Sequence, residues 1–104
     1  MRILEYIDPK GRSPFKRWFD ALNPPATSKV TIALTRIGLG NLSNVKSVDG
    51  GILEYRIDSG PGYRIYFGRD GDELAILLAG GTKRRQSNDI AAARDRWADY
   101  KRRK

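Results

Sequence analysis

Strand-forming and helix-forming patterns alternate along the chain, and the strand-forming ones have the clearest limits. Residues 2–7 read RILEYI, which is rich in strand-favouring residues, and the turn sequence DPKG follows directly. Three further runs of this kind, separated by the turn sequences DSGPG and RDGDE, cover residues 52–57, 63–67 and 74–78. We therefore predict an N-terminal strand and a three-stranded antiparallel meander, with a loop over residues 41–51 before the meander.

Helical periodicity fills the segment between the first strand and that loop. Ser13 followed by Pro14 is a typical helix start, and apolar residues then recur every three or four positions until the sequence NPP interrupts the pattern. A second helix is predicted over residues 25–38, where glycines end it. Two consecutive amphipathic helices form a hairpin that must cover an apolar surface.

A third helix is predicted after the meander, with Ser87 or Asn88 as its N-cap. The members of its inner stripe are Ile90, Ala93, Trp97 and Tyr100. The predicted fold class is α+β, with an N-terminal strand, a two-helix hairpin, a three-stranded antiparallel meander and a C-terminal helix in a single domain over residues 1–104.

The three meander strands differ in their expected burial. Residues 74–78 are apolar throughout, which predicts the most buried strand, whereas the other two runs alternate and are expected to keep one face in water. Arg56 and Arg64 then lie on strands and not on loops.

Composition restricts the chemistry that this chain of 104 residues can perform. It has no Cys and no His, which excludes disulfides, a thiolate nucleophile, thiolate zinc sites and the usual general base at neutral pH. Any catalysis must use Lys, Arg, Tyr and carboxylates, and we expect no metal and no cofactor. No segment approaches the roughly 20 apolar residues of a membrane span, so we expect a soluble, cytoplasmic protein without a membrane partner.

Positive charge is concentrated near the C-terminus. The net charge is +8, of which residues 83–104 contribute +6 with nine Lys and Arg against three Asp. A concentrated basic stretch favours a polyanionic partner, either nucleic acid or an acidic protein. The alternative for the terminal KRRK is a solvated helix face or a frayed tail.

Three features are candidates for a functional site. Glu54 and Arg56 are two residues apart on a strand and point to the same face, where the register decides which of Tyr63, Arg64 and Tyr66 lies nearby. The second feature is the sequence GGTKRRQ, a glycine-flanked cluster of Lys83, Arg84 and Arg85, and the third is the Gly60-Pro61-Gly62 corner. Each has a structural alternative: an exposed ion pair, a solubilising loop and a hairpin turn.

Together these residues fit the needs of RNA cleavage. A scissile phosphate needs cations for its transition-state charge, a base for the 2′-hydroxyl and an acid for the departing 5′-oxygen. Glu54 is the candidate base, and Lys83 or Tyr66 could deliver a proton if nearby positive charge lowered its pKa. Without histidine the acid and base are weak, so a larger machine would have to orient the RNA.

The runs LEYR, GPGYRIYF, LLAGGTK and DI resemble the phage-type "addiction module killer" branch of the RelE/ParE toxin superfamily, close to HigB. The resemblance extends from the first strand to Trp97. It implies a small α+β fold, cleavage of messenger RNA in the ribosomal A site, and inhibition by a co-encoded antitoxin.

The resemblance also implies roles for individual residues. Arg64 matches the phosphate-stabilising strand arginine and Arg84 the second catalytic arginine, while Arg56 and Glu54 occupy positions where RelE-like enzymes have lysines. The family's aromatic or His residue near the start of the last helix is replaced by Ile90. The candidate catalytic residues are Arg64, Arg84, Arg56, Lys83 and Glu54, and the candidate RNA-binding residues are Tyr63, Tyr66, Arg85, Gln86 and Asp89.

Three functions therefore compete. The first is the toxin of a type II toxin-antitoxin system that cleaves mRNA on the ribosome. The second is a ParE-like inhibitor of DNA gyrase, and the third is a non-enzymatic basic domain that binds nucleic acid. Either toxin requires a cognate antitoxin, which we expect to be a small helix-turn-helix protein that covers the cationic sheet face or the helical hairpin.

Overall fold

The computed structural model describes all 104 residues and confirms the α+β class, with three helices and one five-stranded mixed sheet. Short 3-10 turns cover Asp49–Gly51 and Lys83–Arg85. The elements in chain order are β1 (Arg2–Glu5), α1 (Pro14–Asp20), α2 (Pro24–Gly38), β2 (Val45–Ser47), β3 (Leu53–Ile57), β4 (Tyr63–Arg69), β5 (Leu74–Thr82) and α3 (Gln86–Arg103).

The strand order in the sheet is β1-β5-β4-β3-β2. β3, β4 and β5 pair antiparallel in sequence order, but they form the middle of a larger sheet and not a separate meander. β1 joins parallel to β5, and β2 pairs antiparallel with β3 at the other edge. The loop predicted over residues 41–51 was wrong at β2, because an exposed edge strand of three residues is too short to show a hydrophobic period.

β5 is longer than predicted and continues through Gly80 and Gly81 to Thr82. At both positions a neighbouring side chain lies too close to leave room for a β-carbon. A β-carbon on Gly80 would lie 2.0 Å from the Trp18 ring, and one on Gly81 would lie 1.8 Å from the Asp89 carboxylate. The glycines therefore allow α1 and α3 to approach the strand from opposite faces.

The first helix begins after its predicted cap, Ser13, and the second begins after a cap, Asn23, that was not predicted. The Ser13 hydroxyl accepts a hydrogen bond from the Lys16 N–H, and the Asn23 side chain accepts one from the Ala26 N–H. The predicted caps of α3, Ser87 and Asn88, were wrong. That helix begins at Gln86 without a side-chain cap because the chain enters it from the turn Lys83–Arg85.

Helices cover both faces of the sheet. The core between the sheet and the α1–α2 hairpin contains Phe15, Val30, Ala33, Ile37, Tyr55, Ile65, Phe67, Ala75 and Leu77. The core under α3 contains Tyr6, Ile52, Tyr66, Ile76, Leu78, Ala79, Ala93 and Trp97, with Ile90 and Tyr100 packed at its edge. The predicted stripe of α3 is thus confirmed. The expectation that β3 and β4 keep one face in water was wrong for Glu54, Arg64 and Tyr66, which are buried on the side where α3 packs, whereas Arg56 is partly exposed.

The C-terminal cations belong to α3 and are not a frayed tail. Arg102 and Arg103 both contact Asp99, and Lys104 contacts Asp70. None of the three helices combines the length and the apolar character needed to cross a bilayer.

Candidate functional site

Four polar residues of β3 and β4 share the face of the sheet that α3 covers. In the antiparallel register Glu54 lies opposite Tyr66, and Arg56 lies opposite Arg64. Residues two apart on a strand point to the same side, so the four side chains form one block. The same alternation sends Tyr63 to the opposite face, so this predicted site residue does not join the others.

Glu54 is the centre of a hydrogen-bonded group. Its side chain is 0% exposed. Arg56 Nε donates to Glu54 Oε1 at 2.7 Å, and Gln86 Nε2 donates to Oε2 at 2.7 Å. Arg64 Nε lies 3.8 Å from the same Oε2. We call Glu54, Arg56, Arg64 and Gln86 the glutamate–arginine cluster.

These contacts make Glu54 a poor general base. Burial raises the pKa of Glu54, but the hydrogen bonds from Arg56 and Gln86 outweigh burial and hold the pKa below its ordinary value. Both carboxylate oxygens are already bonded, whereas a base needs an oxygen within reach of the substrate proton. The geometry instead suits Glu54 to orient the two arginine side chains.

Tyr66 lacks the lowered pKa that would be needed to give a proton to the 5′-oxygen. Its hydroxyl is buried and has no hydrogen-bond partner. Burial and, after it, the negative charge of Glu54 raise the pKa of Tyr66, whereas a donor role required a lowered pKa. The Tyr66 ring packs in the core under α3.

Arg64 and Lys83 both donate a hydrogen bond to the carbonyl oxygen of Gly62. Arg64 Nη1 donates to it at 3.0 Å, and the main-chain N–H of Lys83 donates to it at 2.8 Å. A β-carbon on Gly62 would lie 3.3 Å from Arg64 Nη1 and from Lys83 Cβ. The glycine corner therefore joins the buried arginine to the basic turn that precedes α3.

The cations of this region differ in their access to solvent. The Arg64 side chain is 5% exposed and that of Arg56 is 35% exposed, while Lys83 and Arg84 are exposed. The candidate cations are therefore only partly exposed to solvent. Arg56, Lys83 and Arg84 are accessible to a ligand, whereas Arg64 is enclosed.

The three candidate residues at the start of α3 have different surroundings. Gln86 belongs to the glutamate–arginine cluster, while Arg85 lines a cleft between α1 and α3. Asp89 lies against Gly81, and its Oδ2 atom is buried without a hydrogen-bond partner. Burial raises the pKa of Asp89, although Arg85 and Arg96 act in the opposite direction.

Sequence reasoning missed two residues of that cleft, Arg96 and Trp18. Arg96 is half-buried, and its Nη1 donates to the Leu78 carbonyl at 2.9 Å. A signal was available, because Arg96 follows the buried Ala93 by three residues and so lies near the inner side of α3. Trp18 was assigned to the helix core without its contact to β5.

The fold and the site define a small α+β protein with a buried carboxylate that holds two strand arginines. No family model matches the chain. A protein of Haemophilus influenzae, described as an uncharacterized protein, is 42% identical over 81 residues, which is 77% of this chain and 82% of that protein. The chain belongs to the same family as that protein. Its function therefore has to be argued from the site.

Proposed function

We propose that this protein is the toxin of a type II toxin-antitoxin system and acts as a ribosome-dependent endoribonuclease. The observation that carries the proposal is the opposed pair Arg56 and Arg64, oriented by Glu54 and joined through Gly62 to the turn that carries Lys83 and Arg84. The order of a strand, a helical hairpin, antiparallel strands and a helix also agrees with the RelE-like fold that the sequence resemblance implies.

The proposed reaction is a transesterification of RNA. The 2′-oxygen forms a bond to phosphorus while the bond from phosphorus to the 5′-oxygen breaks, which leaves a cyclic phosphate and a 5′-hydroxyl. One proton leaves the 2′-hydroxyl for solvent, and Lys83 gives one to the 5′-oxygen. Arg56 and Arg84 stabilise the additional negative charge of the transition state through bidentate contacts.

Dependence on the ribosome follows from the weakness of this acid–base set. Glu54 has no free oxygen and the hydroxyl of Tyr66 is buried, so neither is available to the RNA. Exact placement of the substrate can supply several orders of magnitude in rate, and a ribosome that holds the codon provides such placement. The partners of this function are messenger RNA, the ribosome and the antitoxin.

Replacement of Arg64 tests the proposal. We expect Arg64→Ala to lower cleavage of translated mRNA by about 100-fold, because Arg64 contacts both Glu54 and the Gly62 carbonyl and so positions Arg56 and the basic turn, and misplacement of such groups can cost that much. Toeprinting after induction measures the cuts within codons, and growth arrest measures toxicity. Arg69→Ala is the matched control, since Arg69 is the exposed arginine at the end of the same strand.

Two results would contradict the proposal. One is an Arg64→Ala variant that remains fully toxic. The other is full toxicity of Lys83→Ala, which removes an exposed side chain and leaves the buried cluster intact. Thermal melts of both variants separate loss of activity from loss of folding.

One observation favours the second candidate, a ParE-like gyrase inhibitor. Glu54 and Arg64 are buried beneath α3, as expected of a structural ion pair in a scaffold that binds protein without cleaving RNA. This function predicts DNA-damage signalling with intact mRNA after induction, so the toeprinting experiment separates the two candidates.

Either toxin requires an antitoxin, and the structure offers a surface on the hairpin side. An apolar groove of about 490 Å³ lies between β1 and the helical hairpin, beside the exposed Leu4 and Ile7. Exposed apolar side chains next to a free strand edge favour contact with another chain. Co-expression of a neighbouring small helix-turn-helix gene is expected to relieve growth arrest, and Leu4→Asp is expected to weaken that relief.

A further inference from the structure

An open cleft lies outside the glutamate–arginine cluster, between α1 and α3. This open cleft has a volume of about 1040 Å³, and the backbone of β5 at Ala79 and Gly80 lies at its floor. We propose that the α1–α3 cleft binds the phosphodiester backbone of single-stranded RNA. The choice of RNA rests on the proposed function, but the site itself is argued from the cleft.

The cleft exists because β1 ends before β5 does. The last main-chain hydrogen bond between them joins the Tyr6 N–H to the Leu77 carbonyl. Beyond that point no strand covers the edge of β5, and its pairing with β4 continues alone to Thr82. Trp18 lies against Gly80 at one side, and α3 forms the other side.

The cleft lining contains more cations than carboxylates, since five Lys and Arg residues line it with Asp8, Asp20 and Asp89. Arg12, Arg17 and Arg85 line it, are exposed and form no ion pair. Lys16 is different, because its ammonium group contacts Asp20 at 2.6 Å. Several unpaired guanidinium groups around one hollow attract a polyanion, since each offers planar donors to phosphate oxygens.

A half-buried cation inside the cleft strengthens the case. Arg96 donates to the Leu78 carbonyl, but no carboxylate lies within ion-pair distance of it. A guanidinium group has five N–H donors, and burial without an anion is unfavourable for a charge. A bound phosphate would provide that missing anion.

The aromatic side chain in the cleft favours RNA over an acidic protein as the occupant. Asp89 belongs to the cleft lining, but its Oδ2 atom is buried against Gly81 and has no hydrogen-bond partner. A nucleotide combines a phosphate with hydroxyl and amino donors, and its base can lie against an aromatic wall such as Trp18.

The cleft lies next to the turn that carries two of the candidate cleavage residues, Lys83 and Arg84. Arg85 lines the cleft and directly follows Arg84 in the turn before α3. Asp89 is near enough to Tyr66, on the cluster side, for its charge to raise the Tyr66 pKa. An RNA strand held at the cluster can therefore pass over the start of α3 and enter the cleft.

The test measures RNA binding by the intact protein without ribosomes, where RNA integrity is checked on a gel. Labelled single-stranded RNAs of about 4 and about 12 nucleotides are compared, because the short one can fill only one site. The double variant R12A/R17A removes two cleft cations. K29A/R36A is the matched control, since it removes two exposed, unpaired cations from α2.

We expect R12A/R17A to weaken binding of the longer RNA and to reduce the slope of log K against log salt by about 1.4, which corresponds to two lost phosphate contacts. Binding of the shorter RNA should weaken less, because it can still bind at the glutamate–arginine cluster, and the slope of K29A/R36A should stay unchanged. Equal slopes for both double variants would overturn the proposal. So would an R12A/R17A variant that binds RNA normally but loses an acidic partner protein.

The outcomes also separate this proposal from the proposed function. If R12A/R17A lowers the slope of log K against log salt but induction leaves mRNA uncut, the cleft binds RNA and the proposed nuclease function is wrong. If mRNA is cut in an Arg64-dependent manner but the slope is unchanged, the nuclease stands and the cleft proposal fails.

Discussion

The two ends of α3 carry similar numbers of cations, but only one end neutralises them. At the C-terminal end Arg102 and Arg103 contact Asp99, and Lys104 contacts Asp70. Before the first turn of the helix, Lys83, Arg84 and Arg85 are exposed and form no ion pair. Charge density along a sequence therefore does not locate a binding surface; the absence of internal partners does.

The helix dipole makes the contrast sharper. Cations near the C-terminal end of a helix are favourable, whereas cations near its N-terminal end cost about 0.3–1 kcal/mol each when exposed. Helix stability thus explains the basic residues at the end of α3 and opposes those at its start. Helix stability therefore does not explain the cations at the start, which is consistent with the polyanionic partner that we propose.

The largest expected effect is the loss of toxicity when two cations are removed at the start of α3, compared with removal of two cations at its end. We expect K83A/R84A to reduce toxicity and mRNA cleavage by at least about 100-fold, because both side chains are proposed to contact the scissile phosphate. R102A/K104A removes the same charge from the other end and should remain as toxic as the unchanged protein. Equal losses in the two variants would show that net charge alone matters. Growth arrest and toeprinting are the measurements.

The next effect concerns the contact that fixes the start of α3 on the sheet. Gly81→Ala places a β-carbon 1.8 Å from Asp89 Oδ2. We expect a loss of about 1–3 kcal/mol in the free energy of unfolding, which is typical of overpacking. Gly38→Ala is the control, because a β-carbon there meets only ordinary contacts at 3.6 Å. Urea unfolding measures both, and equal stability of the two variants would contradict the assigned contact.

Two aspartates of α3 are expected to respond to pH with opposite sign. Burial raises the pKa of Asp89, so its contribution to stability falls as pH rises through its folded pKa. For Asp99, the hydrogen bond from Tyr6 outweighs burial and lowers the pKa, so its contribution is lost as pH falls through the folded pKa.

Substitution by Asn makes this difference measurable. At neutral pH, Asp89→Asn should be more stable than the unchanged protein, and Asp99→Asn should be less stable. Both differences should shrink on acidification below about pH 4, the ordinary pKa of Asp. Thermal unfolding as a function of pH measures them, and shifts of the same sign in the two variants would refute the assignment.

The smallest effect is expected for Lys104→Ala. It removes an exposed ion pair with Asp70, whose other oxygen still accepts from the Tyr100 hydroxyl at 2.7 Å. Exposed pairs contribute little, so we expect no measurable change in Tm. A clear loss would mean that the end of α3 depends on its charges more than surface pairs normally do.

Local signals in the sequence predicted the elements well. The cap Ser13 was confirmed as a helix start, because capping needs only residues within one turn. The buried stripe of α3 was confirmed for the same reason, since its period is a property of the helix itself. The edge strand β2 was missed because three exposed residues carry no readable period.

The candidate site was predicted less completely. The shared face of Glu54 and Arg56 follows from strand alternation, but the choice of Arg64 and Tyr66 over Tyr63 required the register of β3 and β4. The burial of Glu54, which leaves it without a free oxygen, required the position of α3. The α1–α3 cleft depends on where β1 ends relative to β5, which no local pattern records.

The sequence by itself determined which segments become helices and strands, and which charged side chains are available to the site. Tertiary structure alone decided which of those charges are paired and which remain free. The physical reason is range: caps and periodicity act between residues a few positions apart, whereas the pairing of a charge depends on groups brought near it from distant parts of the chain, as Asp70 is brought to Lys104.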